Sequence, residues 1–236
     1  SHASSMAAGL SRAAEDYGKT VGLLSQGRGC LLLKGPYTGT PDEDCESWQN
    51  ETLEQLRESE IDTVILHGYA TGRITGFNRG SAYRYEITSA TGDAAQTYDT
   101  ALALYRIGLT SAVDELAEAG KKIVILTTYP DFTQRLPTDQ EENRTSLWQI
   151  FSGSYPQILF SDIEVVALED ARERNYDLLQ IEQTVSNLHT EVVSIDLSTE
   201  ICPAGECRQW RDGRLVYSDL DHITSQEALR LGQILL

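Results

Sequence analysis

The chain has 236 residues and a formal net charge of −17, and its residues are 40% apolar and 23% charged. This length suits one large or two small domains and allows a complete apolar core. The acidic balance argues against nucleic-acid binding, because phosphates require a basic face. The sequence also lacks a run of about 18 apolar residues, the length that a membrane-spanning helix needs.

The first half of the chain alternates helical and extended patterns. Apolar positions at helical spacing end at Gly18, and glycine commonly follows a helix C-terminus. Residues 61–67 are rich in β-branched side chains and contain the apolar run Val64-Ile65-Leu66, which is the character of a strand covered on both faces. In chain order we predict a helix over residues 3–17, a strand over 20–24, a helix over 46–58, a strand over 61–67, a loop over 68–94 and a helix over 96–119.

The second half continues this alternation up to a last amphipathic helix. Asp212-Gly213 is a typical turn of a β-hairpin, and Thr224 with Glu227 forms the pattern of a helix capping box. In chain order we predict a strand over residues 122–127, a loop over 129–144, a helix over 168–189, a strand over 191–195, a hairpin over 208–217 and a helix over 225–235.

Strands that alternate with helices indicate βαβ units. The predicted fold class is therefore α/β, with three layers (α/β/α) and a mostly parallel central sheet, in a single domain over residues 1–236. Such sheets bind ligands beyond the carboxyl ends of their strands, so we expect the site there. No strand is predicted ahead of the first helix, which suggests truncation just upstream of Ser1.

The four cysteines fall into two local pairs, Cys30 with Cys45 and Cys202 with Cys207. Neither pair has the CxxC spacing of a zinc ribbon and the four histidines are scattered, so we expect no metal site. Two short loops closed by disulfides are the favoured interpretation, and they imply an oxidising compartment. The alternative is four buried free thiols in a cytosolic protein.

An aspartate three residues ahead of a histidine can supply the orienting carboxylate and the base of a Ser-His-Asp triad, and Asp219 and His222 have this spacing. Ser1 opens a predicted helix, where the helix dipole and a backbone N–H favour an oxyanion. The alternative for His222 is a histidine at a helix entry, bonded to a backbone carbonyl. The alternative for Ser1 is a residue left by a cleaved purification tag, with native sequence starting nearer Met6.

Motifs at both ends of the chain match one known family. Ser1-His2-Ala3 and Gly9-Leu10 have the spacing of a GDSHA block and the GL pair that follows it. Two further matches include the first two cysteines: Gly29-Cys30, and Cys45 with Trp48. The last match is the C-terminal motif Y-x-D-x-D-H-[LI]-[ST], at residues 217–224. The chain resembles the SGNH hydrolase-like domain fused to bacterial acyltransferase-3 membrane proteins, which O-acetylate surface polysaccharides.

The resemblance implies a role for each matching residue. Ser1 is the implied nucleophile, His222 the base and Asp219 its partner, while Asp221 is interpreted as a solvent-facing or capping carboxylate. Backbone N–H groups of Ser1 and of Gly29 are the implied oxyanion donors.

The third oxyanion donor departs from the family pattern. SGNH enzymes in general place an asparagine after the third strand, where this chain has His67. Asn78, further along the same loop, is the candidate donor.

The resemblance also implies a cellular setting. It describes an extracytoplasmic, periplasmic domain, tethered to the bacterial inner membrane as the C-terminal part of a longer membrane protein. It would transfer an acetyl or other short acyl group to a glycan such as lipopolysaccharide through a serine acyl-enzyme, without a cofactor. The acyl group would come from a membrane acyltransferase domain of the same chain. A stand-alone carbohydrate O-acetyl esterase and a non-catalytic glycan-binding module are the alternatives.

Overall fold

A three-stranded parallel sheet lies at the centre of the computed structural model, which describes residues 2–26, 30–38, 44–76, 85–134 and 164–235. The strands in chain order are β1 (Tyr37–Thr38), β2 (Thr63–Leu66), β3 (Ile87–Thr88), β4 (Lys122–Leu126), β5 (Val165–Ala167), β6 (Val192–Ile195), β7 (Glu206–Arg208), β8 (Trp210–Arg211) and β9 (Arg214–Leu215). The central sheet has the order β2-β4-β6, and the other strands form three antiparallel pairs.

The α-helices lie on both sides of this sheet. In chain order they are α1 (His2–Glu15), α2 (Cys45–Glu58), α3 (Tyr98–Glu118), α4 (Leu168–Arg174), α5 (Tyr176–Ser186), α6 (Ser198–Ile201) and α7 (Ser225–Leu235). None of the helices within the described ranges is long and apolar enough to cross a membrane.

Successive residues of β4 pack into two separate apolar clusters. Ile123 and Ile125 belong to the cluster under α2, α3 and α5. Val124 and Leu126 contact the other cluster, which lies under α1 and α7. Because side chains of a strand point alternately to its two faces, the sheet is covered on both sides. The predicted three-layer α/β/α class and its parallel sheet are therefore confirmed.

Three predicted elements differ from the structure. The predicted loop over residues 68–94 contains a π-helical segment, Thr71–Thr75, and strand β3. Residues 20–24 join no strand ladder, and Leu23 is 47% exposed. A strand needs a neighbour with free backbone groups, and no described strand pairs with this segment. The helix predicted over residues 168–189 is divided at Asn175, whose backbone has φ −98 and ψ 7. Its side-chain Oδ1 accepts a hydrogen bond from the Thr71 hydroxyl at 2.7 Å.

Both pairs of neighbouring cysteines form disulfides. Cys30 and Cys45 join the segment before β1 to the start of α2, and Cys202 and Cys207 join the end of α6 to β7. The cysteine pairing expected from the spacing is thus present. The predicted hairpin is present as β8 and β9, with Asp212 at φ 50 and Gly213 at φ 77 in its turn. Positive φ at both positions is what a type I′ turn requires.

The first and last described helices pack directly against each other. A Cβ atom built on Gly9 would lie 2.0 Å from the carbonyl oxygen of Ala228, and one on Gly232 would lie 2.6 Å from the carbonyl oxygen of Gly9. Only glycine allows backbones to approach this closely. The crossing brings the start of α1 next to the loop that precedes α7.

Candidate active site

The loop between β9 and α7 holds Asp219 and His222 in a fixed arrangement. An isolated bridge between Tyr217 and Ile223 closes the loop. Asp219 Oδ1 accepts hydrogen bonds from the backbone N–H groups of Asp221 at 3.0 Å and His222 at 2.7 Å. Asp219 Oδ2 lies 2.9 Å from His222 Nδ1. The backbone N–H groups and the imidazole together orient the Asp219 carboxylate. The carboxylate in turn fixes the orientation of the His222 ring.

A second carboxylate contacts the same imidazole nitrogen. Asp221 Oδ1 lies 2.8 Å from His222 Nδ1, and Asp221 Oδ2 lies 3.8 Å from Nε2 of His2. The side chain of Asp221 is 21% exposed. The expectation of a solvent-facing or capping carboxylate is therefore not met, because Asp221 turns inward between two histidine rings.

These contacts change how the groups titrate. Hydrogen bonds to Asp219 and then Asp221 raise the pKa of His222 to about 9, although partial burial acts in the opposite direction. Burial also acts to raise the pKa of Asp219, but hydrogen bonds from His222 and two backbone N–H groups leave it below its usual value. The loop is therefore an ion-paired unit in which His222 holds its proton well above neutral pH.

His2 links α1 to this loop. Its side chain is 3% exposed, and its ring stacks on those of Tyr69 at 4.7 Å and Tyr129 at 5.3 Å between centroids. The ring centroids of His2 and His222 lie 4.6 Å apart. Burial lowers the pKa of His2, so its ring stays neutral near pH 7.

His67 follows β2 and is fixed as one tautomer. Its Nδ1 lies 3.2 Å from the carbonyl oxygen of Leu126. A carbonyl oxygen accepts hydrogen bonds, so this contact assigns the proton to Nδ1 and leaves Nε2 as an acceptor. Burial lowers the pKa of His67 to about 3 and keeps the ring neutral. In this tautomer Nε2 of His67 offers no donor to an oxyanion, although His67 stands where related enzymes carry a donor asparagine.

A cavity of about 1150 Å³ lies against these groups. His2, His67 and His222 contribute to its wall, together with aliphatic side chains of α1 and β2 such as Met6 and Leu66. Polar side chains outside the loop, among them Lys19, Glu60 and Glu182, also line the cavity, so its wall mixes polar and apolar groups.

One cluster could also contact a metal ion. Among the described residues, ligand atoms of His2, Asp221 and His222 lie within 4.8 Å of one another. However, the Nδ1 atom of His222 already bonds two carboxylates. We therefore interpret the cluster as an acid–base network.

The structure brings together part of the predicted site. Asp219 and His222 are in contact, and His2 and Asp221 join them. Ser1, the candidate nucleophile, and the oxyanion-hole candidates Gly29 and Asn78 lie outside the described residues. In the sequence, Asp221 could be recognised from its place beside His222 in the D-x-D-H motif. His2 could be recognised only from its position next to Ser1.

An α/β/α fold with an Asp–His pair on the loop before its last helix is the architecture of an SGNH-type hydrolase domain. The family model described as "SGNH domain (fused to AT3 domains)" matches residues 1–236, and the chain belongs to this family. Membership implies fusion to an AT3 domain and a role in acyl transfer or ester hydrolysis. No curated protein and no solved structure matches the chain.

Proposed function

We propose that this chain is the SGNH domain of a serine-dependent O-acyltransferase, which moves an acetyl group onto a hydroxyl of a cell-surface polysaccharide. The observation that carries the proposal is the contact between Asp219 and His222, together with the ring of His2 at 4.6 Å from that of His222. His2 is the chain neighbour of Ser1. The candidate base and the residue next to the candidate nucleophile therefore pack together.

In the first half-reaction, Ser1 Oγ forms a bond to the carbonyl carbon of the acyl donor. Its proton passes to Nε2 of His222, the ring nitrogen that the carboxylates leave open. Asp219 holds the proton on Nδ1 and stabilises the imidazolium that forms. His222 then returns the Nε2 proton to the leaving group, and the acyl group stays on Ser1 as an ester.

In the second half-reaction, His222 removes the proton from a sugar hydroxyl, whose oxygen attacks the acyl-enzyme. The ester bond to Ser1 breaks, and the serine hydroxyl regains a proton from His222. The oxyanion of both steps would accept hydrogen bonds from backbone N–H groups of Ser1 and Gly29, with Asn78 as the third candidate donor. No cofactor takes part in this scheme.

The proposal includes the setting of the domain. The chain would be the C-terminal, periplasmic part of a longer protein of the bacterial inner membrane, and the AT3 domain of that protein would supply the acyl group. Two observations support this setting: the family is defined by fusion to AT3 domains, and the two disulfides suit an oxidising compartment.

Labelling with a fluorophosphonate probe tests the nucleophile. The wild-type protein at pH 9 is expected to react, and Ser1→Ala to abolish the reaction. Ser4→Ala is the matched control, because Ser4 lies in the first turn of α1 and its side chain is exposed. A folded wild-type protein that does not react would instead support a glycan-binding module.

A stand-alone carbohydrate esterase would use the same first half-reaction, with water replacing the sugar in the second. The two functions separate when an aryl acetate is supplied with and without an acceptor oligosaccharide. A transferase produces acetylated oligosaccharide at the expense of free acetate. Release of free acetate alone would identify an esterase.

A further inference from the structure

Two carboxylates, rather than one, contact the Nδ1 atom of His222. Asp219 Oδ2 lies 2.9 Å away and Asp221 Oδ1 lies 2.8 Å away. We propose that Asp221 is a second positioning residue for His222. Both aspartates then orient the imidazole and stabilise its protonated form. The catalytic part of this inference rests on the proposed function. The structural part concerns only the orientation and protonation of His222.

The two aspartates are held in different ways. Asp219 is fixed by backbone N–H groups of its own loop, as described above. Asp221 instead places its second oxygen 3.8 Å from Nε2 of His2, whose ring is fixed between Tyr69 and Tyr129. Asp219 therefore depends on the local turn. Asp221 lies beside His2 at a separation longer than a hydrogen bond, and the His2 ring is neutral, so α1 contacts Asp221 by packing alone.

The other ionisable groups around His222 do not replace this pair. Among the described residues they include His2 on α1 and, after β4, Tyr129 and Asp131. Burial favours the neutral form of His2 and Tyr129 by shifting their pKa values down and up respectively. Asp131 accepts a hydrogen bond from Tyr69 at 2.8 Å and lies 3.4 Å from Arg174, which compensates its charge.

Two anions beside one imidazole favour its protonated form more than one anion does. An opposite charge within about 4–6 Å shifts a pKa by roughly 1–3 units. Either aspartate alone can still accept a hydrogen bond from the Nδ1–H group of His222. Without both aspartates, nothing specifies which ring nitrogen carries the proton of the neutral imidazole. We expect partial losses from single replacements and a much larger loss from the double replacement.

The direct test is an NMR titration of the imidazole signals. The chain has four histidines, and His222→Gln identifies the signal of His222. Asp221→Asn is expected to lower the pKa of His222 by roughly one unit or more. Asp212→Asn is the matched control, because Asp212 is 79% exposed in the β8–β9 turn and asparagine tolerates its positive φ.

This measurement needs no catalysis, so its outcome is independent of the identity of the nucleophile. An unchanged pKa of His222 in Asp221→Asn overturns the inference, whatever the probe does at Ser1. A wild-type protein that fails to react with the probe overturns the proposed function instead. Asp221→Ser provides a second variant that removes the charge, and circular dichroism shows whether each variant folds.

A double-mutant cycle of kinetic measurements tests whether both aspartates orient His222. Hydrolysis of an aryl acetate is measured for Asp219→Asn, Asp221→Asn and the double variant across the pH range. Loss of the single orienting aspartate of a serine protease lowers kcat about 10⁴-fold. Here Asp219→Asn is expected to lose about 10²-fold and the double variant about 10⁴-fold. A double variant no slower than Asp219→Asn would refute a role for Asp221.

Discussion

Gly9 in the first helix and Gly232 in the last helix bring their backbones into contact, since a Cβ atom on Gly9 would lie 2.0 Å from the carbonyl oxygen of Ala228. This crossing connects the two ends of the chain at the candidate site. His2 and His222 lie at its edge, with ring centroids 4.6 Å apart. The Gly9-Leu10 pair of the family motif thus has a packing role, because it lets α1 dock on α7.

The first prediction concerns this crossing. Gly9→Ala is expected to push the helices apart and to lower the free energy of unfolding by about 1–3 kcal/mol, the usual effect of an overpacked contact. Probe labelling should fall with it. Urea unfolding measures the loss, and Gly22→Ala is the control, because a Cβ atom there meets no atom within 4 Å. Equal stability of Gly9→Ala and wild type would contradict the packing role of Gly9.

The second prediction concerns the pH dependence of ester hydrolysis. In the proposed mechanism His222 must be neutral to accept the serine proton, and its pKa is raised to about 9 by Asp219 and Asp221. We expect kcat/KM to rise about tenfold per pH unit below pH 9 and to level off above it. A pH profile with an aryl acetate tests this, and a plateau that begins at pH 7 would show that the base is not ion-paired in this way.

The third prediction concerns Glu182, which is buried and accepts a hydrogen bond from the Tyr105 hydroxyl at 3.0 Å. Burial raises the pKa of Glu182 to about 8. The folded state therefore binds a proton that the unfolded state releases above pH 4.5, and stability falls as pH rises from about 4.5 to 8. Glu182→Gln should remove this loss and be more stable than wild type at pH 8.

Urea unfolding at pH 5 and pH 8 measures the effect of Glu182→Gln. The exposed Glu118 provides the control, since Glu118→Gln removes a charge from the surface of α3. If the two variants show the same pH dependence as wild type, Glu182 is ionised in the folded protein and the prediction is wrong.

The fourth prediction concerns the disulfide between Cys30 and Cys45, which closes a loop of 15 residues. A loop of this length is stabilised by about 3 kcal/mol in the chain-entropy description. Replacing both cysteines with serine should lower the free energy of unfolding by about this amount, as measured with urea. A reducing agent should affect wild type more strongly than the double variant, and equal sensitivity would argue against the role of this bond.

The sequence predicted the central sheet well, for a physical reason. The strands of a parallel sheet are covered by helices, so they are rich in apolar and β-branched side chains, and the predicted strands over residues 61–67, 122–127 and 191–195 carry this local signal. The cover is incomplete in β6, where Val193 is 49% exposed. The segment over residues 20–24 has the same composition but joins no ladder, because strand formation also needs a partner edge. Asn175 divides the predicted helix through a hydrogen bond from Thr71, a tertiary contact with no local signature.

The site was predictable only where its residues are close in sequence. Asp219 and His222 lie three residues apart on one loop, so their spacing alone indicated their contact. The contacts of His2 with Tyr69, Tyr129 and His222 join segments far apart in the chain. Only the folded chain shows them. Asp221 belonged to the same motif, but its place beside His2 could not be inferred from the spacing.

The local turn around Asp219 has a consequence for inactivation by heat. Asp219 and the candidate base His222 belong to one short segment that is closed by its own hydrogen bonds, whereas His2 belongs to a helix that is held by packing against α7. Moderate warming should therefore detach the amino-terminal helix while the carboxyl-terminal turn stays intact. Reactivity would disappear before the protein melts as a whole, and it would return on cooling.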